Sequence, residues 1–139
     1  MVKKMKVENA IYPTADGIQA LASDSSPAKI AMLNLLKFRA KAVYKDGRPD
    51  DISGREAYQR YSSAMTKIVE REGGKILFAG RIAGVVIGEI EGVWDVAAIM
   101  EYPSRAAFQR IVTLPEVNEI SVHREAGLEG QLLIMTESI

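Results

Sequence analysis

The sequence predicts an α+β fold: strand, helix, strand, strand, helix, strand, the ferredoxin-like βαββαβ order. In that fold a four-stranded antiparallel sheet carries its helices on one face. Three observations predict it. The first is a helix with a clear start, "SGRE" at 53–56, followed at helical spacing by Ala57, Tyr58, Tyr61, Met65, Ile68 and Val69. The second is a pair of extended runs, 75–88 and 93–102, separated by the turn "EIEG". The third is "AKIAMLNLLKF", 28–38, a strand on which Ile30, Met32, Leu36 and Phe38 point one way and Ala31, Leu33 and Leu35 the other. Both faces of that strand are apolar, and helices cover only one. A second copy of the chain is the simplest cover for the other, which predicts a homodimer.

Taken in order, residues 1–13 read as a lead-in, and Thr14 caps a short helix with Asp16 in its first turn and Ile18, Leu21 and Ala22 along one side. "SDSSP", 23–27, is a turn, and 28–38 is the first strand. "KAVYKDGRPDD", 41–51, is a surface loop whose aspartates lack the spacing of a calcium loop. Ser53 and Glu56 form a capping box, and Gly73-Gly74 ends the helix. Lys75 to Gly88 reads as one long strand, with Gly80, Gly84 and Gly88 as bulges or close approaches, and Val93 to Tyr102 as its partner. Pro103 stops that strand. Ser104 caps a helix with Phe108, Ile111 and Val112 facing inward. Thr113 with Glu116 suggests a second capping box around Pro115, and the helix continues through Val117 and Ile120 to Gly127. "LLIM", 132–135, is the last strand. The whole chain, 1–139, is expected to be one domain, with 1–27 as lead-in and short helix and 28–136 as the ferredoxin-like core.

Composition closes several functional classes. Lys+Arg 18 balances Asp+Glu 18, so nothing favours a polyanion through counterion release, and nucleic acid is not expected. Lys3-Lys4-Met5-Lys6 is the one basic run and reads as a solvated terminus. No apolar run approaches a membrane span of ~20 residues, and the start lacks a signal-peptide core. With no Cys the chain suits the cytoplasm. The absence of Cys and the single His exclude a multi-histidine or thiolate metal site within a subunit, so no metal and no cofactor is expected, although one axial His would suffice for haem. Nucleotide, nucleophile-elbow and zinc-protease motifs are absent.

What remains are polar groups in apolar settings. Asn34 lies on a strand face with Met32, Leu36 and Phe38, and a buried amide left unpaired costs ~1–3 kcal/mol. Trp94 and Tyr102 share one face of their strand with Val96, Ala98 and Met100, while Asp95 and Glu101 share the other with Ala97 and Ile99. Alternation therefore keeps the aromatics and the carboxylates out of one cavity unless a bulge intervenes. Arg81 pairs Asp95 or Glu101 across the hairpin in the structural reading, and Arg124 serves a surface or interface ion pair. Asp95 and His123 are the candidate proton-transfer groups. Asn34, Phe38, Tyr58, Arg81, Trp94, Tyr102 and Arg124 are the candidate lining of a small-molecule pocket. Core packing alone is the competing reading for Trp94 and Tyr102.

The segments "MLNLLKFR" (32–39), "SGREAYQRYS" (53–62), "GGKILFAG" (73–80), "WDVAAIMEYPSRAAF" (94–108) and "HREAGL" (123–128) together resemble the domain of unknown function 1330 family across residues 14–135. The resemblance implies a ferredoxin-like protomer of the dimeric α/β-barrel superfamily, with two sheets packed face to face. It assigns no catalytic residue. The wider superfamily includes cofactor-free monooxygenases, lactone isomerases and haem-binding members, a likeness of fold only. The functional expectation is a protein that binds a small, partly apolar molecule, in catalytic form a cofactor-independent monooxygenase- or isomerase-like enzyme. The alternative is a non-catalytic binding or structural homodimer.

Overall fold

The computed structural model describes residues 7, 10–92 and 94–139. Its elements run α1 (Ala15–Ala22), β1 (Ile30–Phe38), α2 (Gly54–Arg71), β2 (Lys75–Arg81), β3 (Val96–Tyr102), α3 (Arg105–Val112), α4 (Pro115–Gly127) and β4 (Leu128–Thr136). The strands form one sheet in the order β2-β3-β1-β4, and every neighbouring pair is antiparallel. This is the ferredoxin-like arrangement. The basic run at 3–6 lies outside the described residues. No helix among the described residues is long and apolar enough to cross a membrane.

Strand alternation builds the core. Ile30, Met32, Asn34 and Leu36 of β1 are buried, and the residues between them are half-buried. The register sets Ile30 opposite Tyr102, Met32 opposite Met100 and Asn34 opposite Ala98, so these share the helix-facing side. There Ile30, Met32 and Tyr102 pack with Met65, Ile68 and Val69 of α2, Phe108 and Ile111 of α3 and Val117 of α4. The opposite face is an apolar band. One row crosses all four strands as Phe78, Ile99, Leu33 and Ile134, and the next as Gly80, Ala97, Leu35 and Leu132. Phe78 and Ile134 are exposed there.

The helix starts follow their local chemistry. Thr14 Oγ1 accepts from the Gly17 amide at 2.9 Å, Ser53 and Glu56 form the reciprocal capping box, and Ser104 Oγ accepts from the Ala107 amide at 3.0 Å. Gly73, at φ +93°, supplies the left-handed residue after α2. The N-terminus of α2 crosses the C-terminus of α4 at two glycines. A Cβ on Gly54 would stand 2.2 Å from Arg39 O, and one on Gly127 would stand 2.4 Å from Gly54 O. Arg39 ties both ends to β1, its amide donating to Gly127 O and its carbonyl accepting from Gly54 N.

Six expectations are corrected. The long strand from Lys75 stops at Arg81, and the chain beyond it exposes Val86 and Ile87 almost fully. The bulge in β2 falls between Ile76 and Phe78; Gly80 is a close approach, where a Cβ would stand 2.7 Å from the Phe78 ring, and Gly84 and Gly88 lie in the loop. The partner strand begins at Val96, and Val93 lies outside the described residues. No capping box forms around Pro115: Thr113 Oγ1 donates back to Gln109 O and Arg110 O, Glu116 pairs with Arg71, and Leu114 is the cap residue. Val112 is exposed rather than inward, and the last strand reaches back to Leu128, directly after α4.

Candidate functional site

The helix-facing side of the sheet carries a polar chain through its apolar surroundings. Asn34 is 9% exposed, so its amide needs partners. Its Oδ1 accepts from Gln131 Nε2 at 2.9 Å, and its Nδ2 donates only a long 3.3 Å bond to Met32 O. Gln131 reaches it because β4 pairs with β1 so that Gln131 stands opposite Leu36, on the buried side. Gln131 Oε1 in turn accepts from Arg124 Nη2 at 2.6 Å, and the same nitrogen donates to Ile11 O. Arg124 is thus turned inward from α4 and held by neutral oxygens. The expected surface ion pair does not form among the described residues.

Three phenols stand near this chain. Tyr58 and Tyr61, successive turns of α2, lie with ring centroids 5.4 Å apart, and Tyr58 is 5.4 Å from Phe38. Tyr102 packs edge-on against Phe108 at 4.9 Å. Burial pushes the Tyr58, Tyr61 and Tyr102 hydroxyls above the usual phenol range, so all are protonated and donating at neutral pH. Tyr61 raises the other two further, while the Arg124 charge pulls Tyr58 and Tyr61 back, which places the guanidinium within electrostatic reach of both. None of the three hydroxyls, and neither Nε nor Nη1 of Arg124, is hydrogen-bonded to a described residue. Yet no described side-chain nitrogen or oxygen is both enclosed and unpaired. Tyr58 and Tyr61 are half-buried, and the protein packed around them desolvates their hydroxyls.

A second polar group lies on the other side of α4. Tyr44, buried against Ala57 and Ala126, makes a 2.8 Å bond to His123 Nδ1. Its hydroxyl also accepts from Arg60 Nη1 at 3.3 Å, and Arg60 holds Asp50 at 2.9 Å. Burial lowers the His123 pKa, and the Arg48 and Arg60 charges lower it further, so the ring is neutral at pH 7. Lys41–Asp51, Arg60–Asp50 and Arg48–Asp46 pairs account for the loop aspartates, and Arg48 stacks over the Tyr44 ring at 4.5 Å. This network fastens the 41–51 loop to α2 and α4.

The predicted residues therefore divide. Asn34, Tyr58, Tyr102 and Arg124 come to the helix side, and Phe38 packs on Tyr58 there. Trp94 is 3% exposed, just ahead of β3. Asp95 departs from them: its carboxylate accepts from the Phe38 amide at 2.8 Å and stitches the end of β1. Arg81 stands opposite Val96, on the face away from Glu101, so the expected cross-hairpin pair is absent; Glu101 meets Lys29 at 3.5 Å instead. His123 faces the 41–51 loop. Two clefts elsewhere hold none of the predicted residues: one of about 570 Å³ between α2 and α4, lined by Arg60, Lys67, Arg71 and Glu119, and one of about 230 Å³ beside α1. Sequence reasoning missed Gln131 as a site residue and took Tyr61 only as core. The signal for Gln131 was its place on the alternation that carries Leu133 and Met135.

Fold and side chains define a ferredoxin-like α+β protein whose helix-facing sheet side carries the Asn34–Gln131–Arg124 chain, with Tyr58 and Tyr61 of α2 nearby. The chain belongs to the family described as domain of unknown function (DUF1330), whose model matches residues 38–138. It is similar to a protein of unknown function from Rhodopseudomonas palustris at 33% identity and TM-score 0.84, covering 95% of this chain and 98% of that one. The fold is shared with SnoaB, a cofactor-independent oxygenase from Streptomyces nogalater, at 9% identity and TM-score 0.53 over 81% of this chain and 94% of that one. It is shared also with a hydroxynitrile lyase from Passiflora edulis at 11% identity and TM-score 0.56, over 82% and 96%. No curated protein matches in sequence.

Proposed function

We propose that the protein binds a small, partly apolar molecule in the space between α2, α4 and the helix-facing side of the sheet, and that it does so as a homodimer. The observation that carries the reading is a set of donors with no partner among the described residues: the Tyr58 and Tyr61 hydroxyls and Nε and Nη1 of Arg124, whose Nη2 bonds Gln131 of the Asn34–Gln131 pair. Phenol and guanidinium N–H and O–H groups stabilise negative charge on an oxygen, and Phe38 with Tyr58 offers a flat apolar wall. A proton acceptor that titrates near neutrality is not among them, since His123 is engaged with Tyr44 of the 41–51 loop. Binding and polarisation are therefore the functions this set supports. The oxygenase and the lyase share fold alone with the chain, so neither activity is carried over. The apolar rows on the open face support the second copy.

Ligand-observed NMR against a library of small aromatic and aliphatic fragments tests the site. Binders should be found whose affinity falls in Asn34→Leu and Tyr61→Phe. Binders that ignore both variants and answer instead to Lys67→Ala in the α2–α4 cleft would overturn the assignment.

A further inference from the structure

The arginines of this chain fall into two kinds, and Arg124 belongs to neither. Arg48, Arg60, Arg71, Arg105 and Arg110 each pair with a carboxylate. Arg39, Arg55 and Arg81 are exposed, where water solvates the charge. Arg124 is half-buried, and its acceptors among the described residues are a carbonyl oxygen and an amide oxygen, both neutral and both on Nη2. A guanidinium removed from bulk water gains most from an anion, because charge-assisted bonds strengthen as the local dielectric falls. Nε and Nη1 have no acceptor among the described residues, and two protonated phenols lie within reach of the same charge. Those phenols cannot serve as the counter-anion at neutral pH, since burial keeps them neutral. They are donors for the same anion.

The neighbouring surface sets the shape of what carries that anion. The Phe38, Tyr58 and Tyr61 rings stand 5.4 Å apart in sequence along one wall, suited to a flat apolar body rather than to a compact inorganic ion. Asn34 and Gln131 satisfy each other and fix Arg124 from behind, so the guanidinium is oriented before any ligand arrives.

We propose that the ligand class is a small planar carboxylate, its charge held by the free edge of Arg124 and the Tyr58 and Tyr61 hydroxyls, and its ring or chain lying against Phe38 and Tyr58. This rests on the proposed interior site and adds the charge of the occupant. Benzoate and its neutral isostere benzamide separate the two claims. By titration calorimetry, wild-type protein should bind benzoate about tenfold or more tightly than benzamide, the step expected for one charge-assisted contact. Arg124→Met should abolish that preference, Arg124→Lys should keep much of it, and Tyr58→Phe with Tyr61→Phe should weaken benzoate severalfold while leaving benzamide nearly unchanged. If Arg124→Met does not fold, by near-ultraviolet circular dichroism, the wild-type ratio and the Arg124→Lys variant decide alone. Equal binding of the two probes, both sensitive to Tyr61→Phe, would overturn the carboxylate class and leave the interior site standing. Failure of benzoate to bind while other fragments answer to Asn34→Leu would do the same.

Discussion

Gln131 shows how much one side chain settles in this molecule. It closes the buried valence of Asn34 and orients Arg124, so Gln131→Leu should cost about 1–3 kcal/mol, the penalty of leaving a buried amide oxygen without a donor. Asn34→Leu added to it should recover part of that loss, since an apolar pair needs no partner, and urea unfolding of the single and double variants measures the coupling. Ser104 is a cap and nothing more: Ser104→Ala should lower stability by about 0.5–2 kcal/mol, and Ser104→Asp should keep the cap and suit the helix dipole. His123 carries a pH dependence. Its folded pKa lies below the ordinary 6.5, so below that value the unfolded chain takes up the proton first. Its contribution is therefore complete above about pH 6.5 and is lost as pH falls towards the folded pKa. Thermal melts between pH 7.5 and 5 should show a steeper decline in wild type than in His123→Gln.

At the scale of elements, capping chemistry and strand alternation were legible in the sequence. Thr14, Ser53 and Ser104 start helices because side-chain oxygens satisfy first-turn amides locally, and β1 alternates because its burial follows from its own residues. Elements whose ends depend on distant partners were not legible. Nothing local says that β2 stops at Arg81, since Val85 to Ile87 has strand-like residues and only the lack of a pairing partner removes it from the sheet. Thr113 and Glu116 match a capping box in spacing, but Arg71 on another helix takes the glutamate. Site residues divide the same way. Asn34 was visible as a polar break in an apolar strand, whereas the inward turn of Arg124 required knowing that β4 follows α4 with Gln131 facing β1. The Gly54–Gly127 crossing was equally hidden, because each glycine looks like punctuation until the two helices meet. Gly54→Ala should cost about 1–3 kcal/mol or more, as backbone rather than side chain must yield. Gly84→Ala, in open space, should cost far less, and paired thermal melts compare them.

For the whole molecule, one sheet face is covered by helices and the other presents apolar rows through Phe78, Ile99, Leu33 and Ile134. Light scattering should return twice the 15.2 kDa chain mass, and Ile134→Glu should return the single mass with the fold retained by circular dichroism. The proposed ligand space then lies on the helix-covered side of each protomer, beside Asn34, Gln131, Arg124, Tyr58 and Tyr61. Whether that space holds a ligand is tested most directly by a crystal structure of the protein soaked in a mixture of small aromatic and aliphatic acids and amides. Density for a bound molecule, with an oxygen in hydrogen-bond reach of Arg124 and of Tyr58 or Tyr61, is the predicted result. A space holding only ordered water, with the bound molecule in the cleft beside Lys67 and Glu119, would contradict it.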